Sequence, residues 1–384
     1  MATGAPITAG TATVRRCLAV RRLELGDFRN HPRLLLEAGP QPVVLWGPNG
    51  AGKTNILEAL SLLVPGRGLR GASLAEMDRE GAPGGFLVRA RLDAADGPHE
   101  VEVRHRRGEG REIVLDGHRL RGSAGLADRG VAVWLTPAMD RLFVEAPAAR
   151  RRFLDRLTLE VDPTHAGRVA AFERLARERL AVLRGPRPDP AWLAALERRM
   201  AELAVAILAA RRQALEGLRR ELARPVMGFP ALELRVEGEL ERRVEGRSAL
   251  EAEELCRQAL AALRRRDAEH GTTALGPHRS DLRVTALDCG EDAARASSGR
   301  QKAMLCAILL AQIRLRHAWH GDLPLVLVDE PATHLDAGRR ARLFGAIAEL
   351  GCQAWLTGTD REIFAPLEKR ALFLRVDGAR VERT

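Results

Sequence analysis

Lysine is scarce in this chain. The 384 residues hold 61 Lys and Arg together, and only Lys53, Lys302 and Lys369 are lysines. Lys53 stands in VVLWGPNGAGKTN (Val43–Asn55), which fits G-x-x-x-x-G-K-[ST] with Gly47, Gly52, Lys53 and Thr54 in the fixed places. That spacing serves one chemistry, the holding of nucleotide phosphates. Gly47, Gly50 and Gly52 let the backbone turn its N–H groups toward an anion. Pro48, Asn49, Ala51 and Asn55 complete the expected contact surface. Lys53 is expected on the β- and γ-phosphates, and the Thr54 hydroxyl on a magnesium ion. A compact ammonium suits that place better than a planar guanidinium, so a lysine in an arginine-rich chain fits a chemical need. ATP and Mg²⁺ are the expected cofactors.

A second set of chemical groups lies far along the chain. PLVLVDEPATHLD (Pro324–Asp336) is an apolar run ending in two carboxylates. Asp329 is expected to hold Mg²⁺, through water. Glu330 is placed to orient or deprotonate an attacking water. Asp336 is expected to face a neighbouring subunit. In ASSGRQKAMLCAILLAQ (Ala296–Gln312), Ser297 and Gly299 precede a long helical run. A hydroxyl, backbone N–H groups and a helix dipole there aim at an anion.

These groups need strands and helices to place them. PVVLW reads as a buried parallel strand, and NILEALSLL as a helix whose positive end faces the phosphates. From Cys17 to about residue 146 the pattern is strand-rich, with CLAVRRLEL, PRLLLEA, GFLVRARLDA, HEVEVRHRR and REIVLDG alternating between Gly and Asp turns. From 147 to 270 helical spacing takes over, rich in Ala, Leu, Arg and Glu. PVMGFPALELRVEGEL interrupts it with an expected strand pair. From 271 to 384 strands and helices alternate again. The predicted architecture is an α/β P-loop ATPase domain split in sequence into residues 17–146 and 271–384, around an inserted, mainly helical domain at 147–270. Residues 1–16 are expected to form a loose tail, with no signal-peptide core.

Composition narrows the class. A net charge of +10 and a pI near 10.5 suit an anionic partner such as nucleic acid. The absence of Tyr and the preponderance of Arg also fit a GC-rich coding bias. Five scattered cysteines without a C-x-x-C pair argue against disulfide or zinc frameworks and fit a reducing cytoplasm. No apolar run approaches a membrane span.

The S-S-G-R-Q stretch from Ser297 resembles the S-x-G-x-Q signature of ABC-type ATPases, which faces the nucleotide held by a second subunit. Here it lies roughly 245 residues after the phosphate loop, across a helical insertion. Transporter ATPases keep the two much closer, whereas the SMC proteins separate them by long coiled coils. LELGDFRNH, GPNGAGKTNILEALSLLVPGRGLRGA, TPAMDRLFVEAPAARRRFLDR and TTALGPHRSDL together resemble the RecF family of bacterial recombinational-repair ATPases. The last two segments are the most specific.

The resemblance implies nucleotide contacts from Arg29 and Asn30. It also implies an ATP-dependent homodimer, slow DNA-stimulated ATPase activity, and binding to duplex, gapped and single-stranded DNA. RecR is the implied partner, with RecA loading at gaps and arrested forks the implied role. Ala138 and Ser280 depart from the family's acidic residues, and Glu330 stands where many members carry Asp. LTGTD occupies the place of the transporter switch histidine, so Thr357 or Thr359 is a candidate contact to the γ-phosphate. Arg150, Arg151 and Arg152 read as a DNA-phosphate contact, a solvated helix face or an interdomain salt-bridge set. His278, Arg279 and Asp281 read as neighbours of the nucleotide or as a hinge, and Arg264, Arg265 and Arg266 as a solvated helix face or a DNA contact. A transporter subunit and an OLD-type ATPase-nuclease are the alternatives. The insertion argues against the first, and the short C-terminal stretch against the second.

Overall fold

Val43–Trp46 has no polar side chain, so it must be covered on both faces. In the computed structural model, which describes residues 16–378 and 380–384, it lies inside a six-stranded sheet. The sheet order is Arg380–Arg383, Leu372–Asp377, Val43–Trp46, Ala354–Gly358, Leu325–Val328 and Ala132–Leu135. All neighbours run parallel except the antiparallel strand at the C-terminal edge. The expected tail lies outside the described residues up to position 15; Arg16 already begins a short strand paired with Asp322–Leu323.

Alternation divides the sheet's side chains between two cores. Val43, Leu45, Leu325 and Leu327 pack with the helix Lys53–Ser61 and with a second, antiparallel sheet. That sheet runs His31–Glu37, Ala19–Phe28, Phe86–Ala94, Gly97–His105, Glu112–Leu115 and His118–Leu120. Val44, Val326, Val328 and Leu356 face the opposite way, onto the helix Ser298–His320. That helix is buried on nearly all sides, as its continuous apolar run AMLCAILLA requires.

The helical region contains Pro147–Thr158, His165–Leu183, Pro190–Leu222, Glu239–Val244, Ala249–Ala262 and Arg264–His270. Pro190 opens the longest helix at its first turn, and Asp189 caps it by accepting from Ala191 and Trp192. Its first half packs in a separate core with Phe172, Leu240, Cys256 and Leu260. Its second half, Leu215, Leu218 and Leu222, joins the core beside the parallel sheet, as do Phe153, Leu154 and Leu157. Packing therefore does not divide at residue 147.

The expected strand pair in PVMGFPALELRVEGEL is one strand, Leu232–Glu237, antiparallel to the distant Asp281–Ala286. Two prolines and Gly228 occupy the stretch that would have been its partner. Among the described residues no helix is long and apolar enough to cross a membrane.

A candidate nucleotide site in two halves

The phosphate loop joins the end of Val43–Trp46 to the start of Lys53–Ser61. Its turn depends on glycine. Gly47, Gly50 and Gly52 have φ of 151°, 80° and 102°, which side chains rarely adopt. At Gly52 a β-carbon would come within 2.6 Å of both Asn30 Nδ2 and His31 Nε2. Asn30 donates to the Ala51 carbonyl at 3.3 Å and accepts from Asn55 Nδ2 at 2.8 Å. The loop is thus held from below by a turn thirty residues from the chain start in sequence, as well as by its own strand. Pro48, Asn49 and Gly50 are exposed at its tip.

Lys53 is buried, and its ammonium donates to the carbonyls of Gly47 and Pro48, each at 2.8 Å. Burial pushes its pKa down, while Glu330 and Asp329 pull it up. Both carboxylates are therefore in electrostatic reach of the loop. Thr54 Oγ1 donates to Asp329 Oδ1 at 3.0 Å. The same carboxylate oxygen accepts from Thr357 Oγ1 at 2.6 Å. A hydroxyl and a carboxylate meeting beside a phosphate loop are oxygen donors of the kind a hard cation takes. Thr54 and Asp329 thus fit the Mg²⁺ expected of them.

Glu330 follows Asp329 in the left-handed region, with φ of 48°. For a non-glycine residue that conformation costs on the order of 1–3 kcal/mol. Its N–H donates to Thr357 Oγ1 at 2.9 Å. The Thr357 hydroxyl is therefore buried and bonded to the Asp329 carboxylate and the Glu330 N–H. Thr359 is exposed and donates to Asp360. Each threonine hydroxyl thus already has a partner within the chain.

Arg29 is already engaged within the chain. Its guanidinium makes two bonds of 2.8 Å to Glu58 and a further bond to the Glu76 carbonyl. Glu58 is fully buried on the phosphate-loop helix and also accepts from Arg70. Arg29 thus neutralises a buried carboxylate beside the loop, and three of its N–H groups are engaged. Glu58 was the missed residue. Its signal was a charge amid Ile56, Leu57, Ala59 and Leu60, all of them core. His31 is also buried, its Nε2 on the Gly52 carbonyl at 3.3 Å and its pKa lowered by burial.

Ser297, Gly299 and Asp336 gather elsewhere. Ser297 caps Ser298–His320 and Asp336 caps Ala337–Leu350, each accepting from the third residue onward, Arg300 N at 3.4 Å and Arg339 N at 2.8 Å. A β-carbon on Gly299 would meet the His334 carbonyl at 3.2 Å, so the two caps adjoin. Both capping side chains are exposed. Among the described residues, no hydrogen bond or ion pair joins this surface to the phosphate loop. Behind it, buried Lys302 donates to Asp140 at 2.6 Å, which ties the helix to the turn after Ala132–Leu135.

The arginine triplet divides. Arg150 is buried, bidentate to Asp281 at 2.7 and 2.8 Å, and bonded to the carbonyls of Phe143 and Glu145. Those bonds consume the guanidinium, so the DNA-contact expectation is corrected there in favour of a salt bridge between segments. Arg151 donates to the Ser280 carbonyl, while Arg152 is exposed. Arg279 and His278 both bond the Thr273 carbonyl, which fits the hinge reading of that segment. Arg264 is also paired, with buried Glu197, while Arg265 lies on the solvated face.

The chain resembles known proteins along nearly its whole length. The DNA replication and repair protein RecF of Mesorhizobium japonicum is 45% identical over 370 residues, 95% of this chain and 98% of the relative. The chain belongs to the RecF family. No family model matches it. A solved RecF, a recombination mediator of the RecFOR pathway in complex with ATPrS, superposes with a TM-score of 0.85 at 21% identity. It covers 96% of this chain and 99% of that one. An Smc head domain from Pyrococcus furiosus superposes with a TM-score of 0.54 at 15% identity, over 96% of each chain. The RecF-family fold here is thus the α/β, ABC-type ATPase fold shared with SMC heads. RecF membership also removes the transporter and nuclease alternatives.

Proposed function

We propose that this chain is an ATP-driven DNA clamp of recombinational repair. One observation carries the reading. The phosphate loop meets the Asp329–Glu330 pair through Thr54, with Thr357 bonded to both members of the pair, while the exposed Ser297 and Asp336 caps share no hydrogen bond or ion pair with that loop among the described residues. Each surface is half of a nucleotide site. Two subunits placed head to tail make the halves whole, with ATP between them.

In that arrangement Lys53 and the loop N–H groups hold the β- and γ-phosphates. Mg²⁺ at Thr54 and Asp329 supplies neutralisation of phosphate charge. A Glu330 carboxylate oxygen receives the proton of the attacking water. Ser297 Oγ and the helix N-terminus of the second subunit bring partial positive charge to the γ-phosphate. The ATPase is slow and DNA-stimulated, acting as a switch that opens the clamp. Residues 17–146 and 271–384 form the ATPase, and 147–270 the insert, in this proposal. Duplex and gapped DNA are the ligands, RecR the partner, RecA loading the outcome and the cytoplasm the place of action.

The test is duplex binding with and without ATP at two salt concentrations. ATP should strengthen binding. Affinity should fall by at least about tenfold between roughly 50 and 200 mM salt, as Arg–phosphate contacts release counterions. Binding that ignores both ATP and salt would overturn the proposal.

A further inference from the structure

We infer that Thr357 is a positioning residue that sets both carboxylates of the hydrolytic half-site; the inference rests on the nucleotide reading above. Thr357 lies on Ala354–Gly358, the strand between the phosphate-loop strand and the strand that ends in Asp329 and Glu330. The parallel register pairs Leu356 with Val328, so Thr357 is level with Asp329. On its other side Thr357 is level with Leu45, two residues before the loop. The fold thus puts one hydroxyl between the two motifs.

That hydroxyl makes two bonds of opposite sense. It donates to Asp329 Oδ1 at 2.6 Å and accepts from the Glu330 N–H at 2.9 Å. A hydroxyl has one proton and two lone pairs, so it alone among small side chains of this shape can do both. The first bond fixes the carboxylate rotamer and leaves Thr54 Oγ1 on the same oxygen at 3.0 Å. The second holds the peptide that places Glu330 at φ 48°. Thr357 is fully buried, so water cannot replace either bond. Valine would keep the volume and remove both bonds.

The consequence separates metal-dependent function from nucleotide binding as such. Among the described residues no hydrogen bond joins Thr357 to Lys53, which is held by the Gly47 and Pro48 carbonyls, so the loop should bind ATP without the Thr357 hydroxyl. A partner that orients a ligating carboxylate typically contributes 10–100-fold in metal affinity or activity.

The experiment compares wild type, Thr357→Val and Thr357→Ser in the full chain. ATP affinity is measured by calorimetry in EDTA and across a Mg²⁺ titration, with kcat and KM measured alongside. Thr357→Val should match wild type in EDTA. Its Mg²⁺ midpoint should rise by roughly tenfold and its kcat should fall by about tenfold or more, with KM little changed. Thr357→Ser keeps the hydroxyl and should restore both. A wild-type Mg²⁺ midpoint and kcat in Thr357→Val would overturn the inference. So would equal loss of affinity with and without Mg²⁺, which marks general damage. Failure of the wild-type chain itself to bind Mg²⁺ and ATP would overturn the nucleotide reading, and this inference with it.

Discussion

Glu330 shows what one residue can reveal and conceal. Its place beside Asp329 at the end of an apolar strand was plain from the sequence, because both motifs are local. The same holds for Gly47, Gly52, Lys53 and Thr54, whose spacing alone defines the loop. Nothing local revealed that Glu330 sits at φ 48°, or that a hydroxyl from another strand holds its N–H. The Arg29–Glu58 pair was hidden for the same reason, since the partners are twenty-nine residues apart in sequence. Glu330→Gln is expected to leave ATP and Mg²⁺ binding intact, because the amide retains the shape. Hydrolysis should slow by roughly 10²-fold or more, the usual worth of a positioned base, and the closed dimer should accumulate. Single-turnover kinetics checks this. A normal rate would remove Glu330 from the base role.

Helices and buried strands were the most legible elements. Apolar periodicity and caps such as Asp189 and Pro190 need no distant partner to be read. Strand pairing was the least legible. Leu232–Glu237 finds its partner about fifty residues away, and no turn signal announces it.

A similar long-range meeting governs the turn after Pro147–Thr158. There Glu160 is buried against the helix Ser298–His320. The Arg316 guanidinium is committed to Asp322 at 2.5 and 2.7 Å and reaches Glu160 only at 3.8 Å. Burial therefore dominates and lifts the Glu160 carboxyl from 4.5 to about 7, against Arg316 and with the help of Asp322. The native state keeps the proton where the unfolded chain has lost it. Stability is accordingly greatest below the ordinary carboxylate range and falls as pH rises toward 7. Glu160→Gln removes the titration. Relative to wild type it should gain on the order of 2 kcal/mol between pH 5 and pH 8. Urea unfolding at the two pH values measures the gain, and an equal difference at both would show that burial does not control this carboxyl.

At the scale of the molecule, one fold carries the two surfaces that the proposal reads as halves of a nucleotide site. The change from strand-rich to mainly helical and back to mixed segments was readable along the sequence. The sharing of core residues across position 147 was not, because it depends on where Phe153, Leu154 and Leu157 come to rest. Among the described residues no hydrogen bond or ion pair joins the Ser297 cap to the phosphate loop, and the clamp proposal is built on that observation. Light scattering of Ser297→Arg with ATP tests it most directly. Arginine adds bulk where a γ-phosphate must meet a second subunit, yet leaves the phosphate loop untouched. The account predicts that the variant binds ATP as an isolated subunit with near-normal affinity and stays monomeric. It should regain part of its ATPase activity only when mixed with Lys53→Ala, since a mixed dimer can assemble one intact site. ATP-driven dimerisation of Ser297→Arg alone, at the wild-type level, would contradict the account.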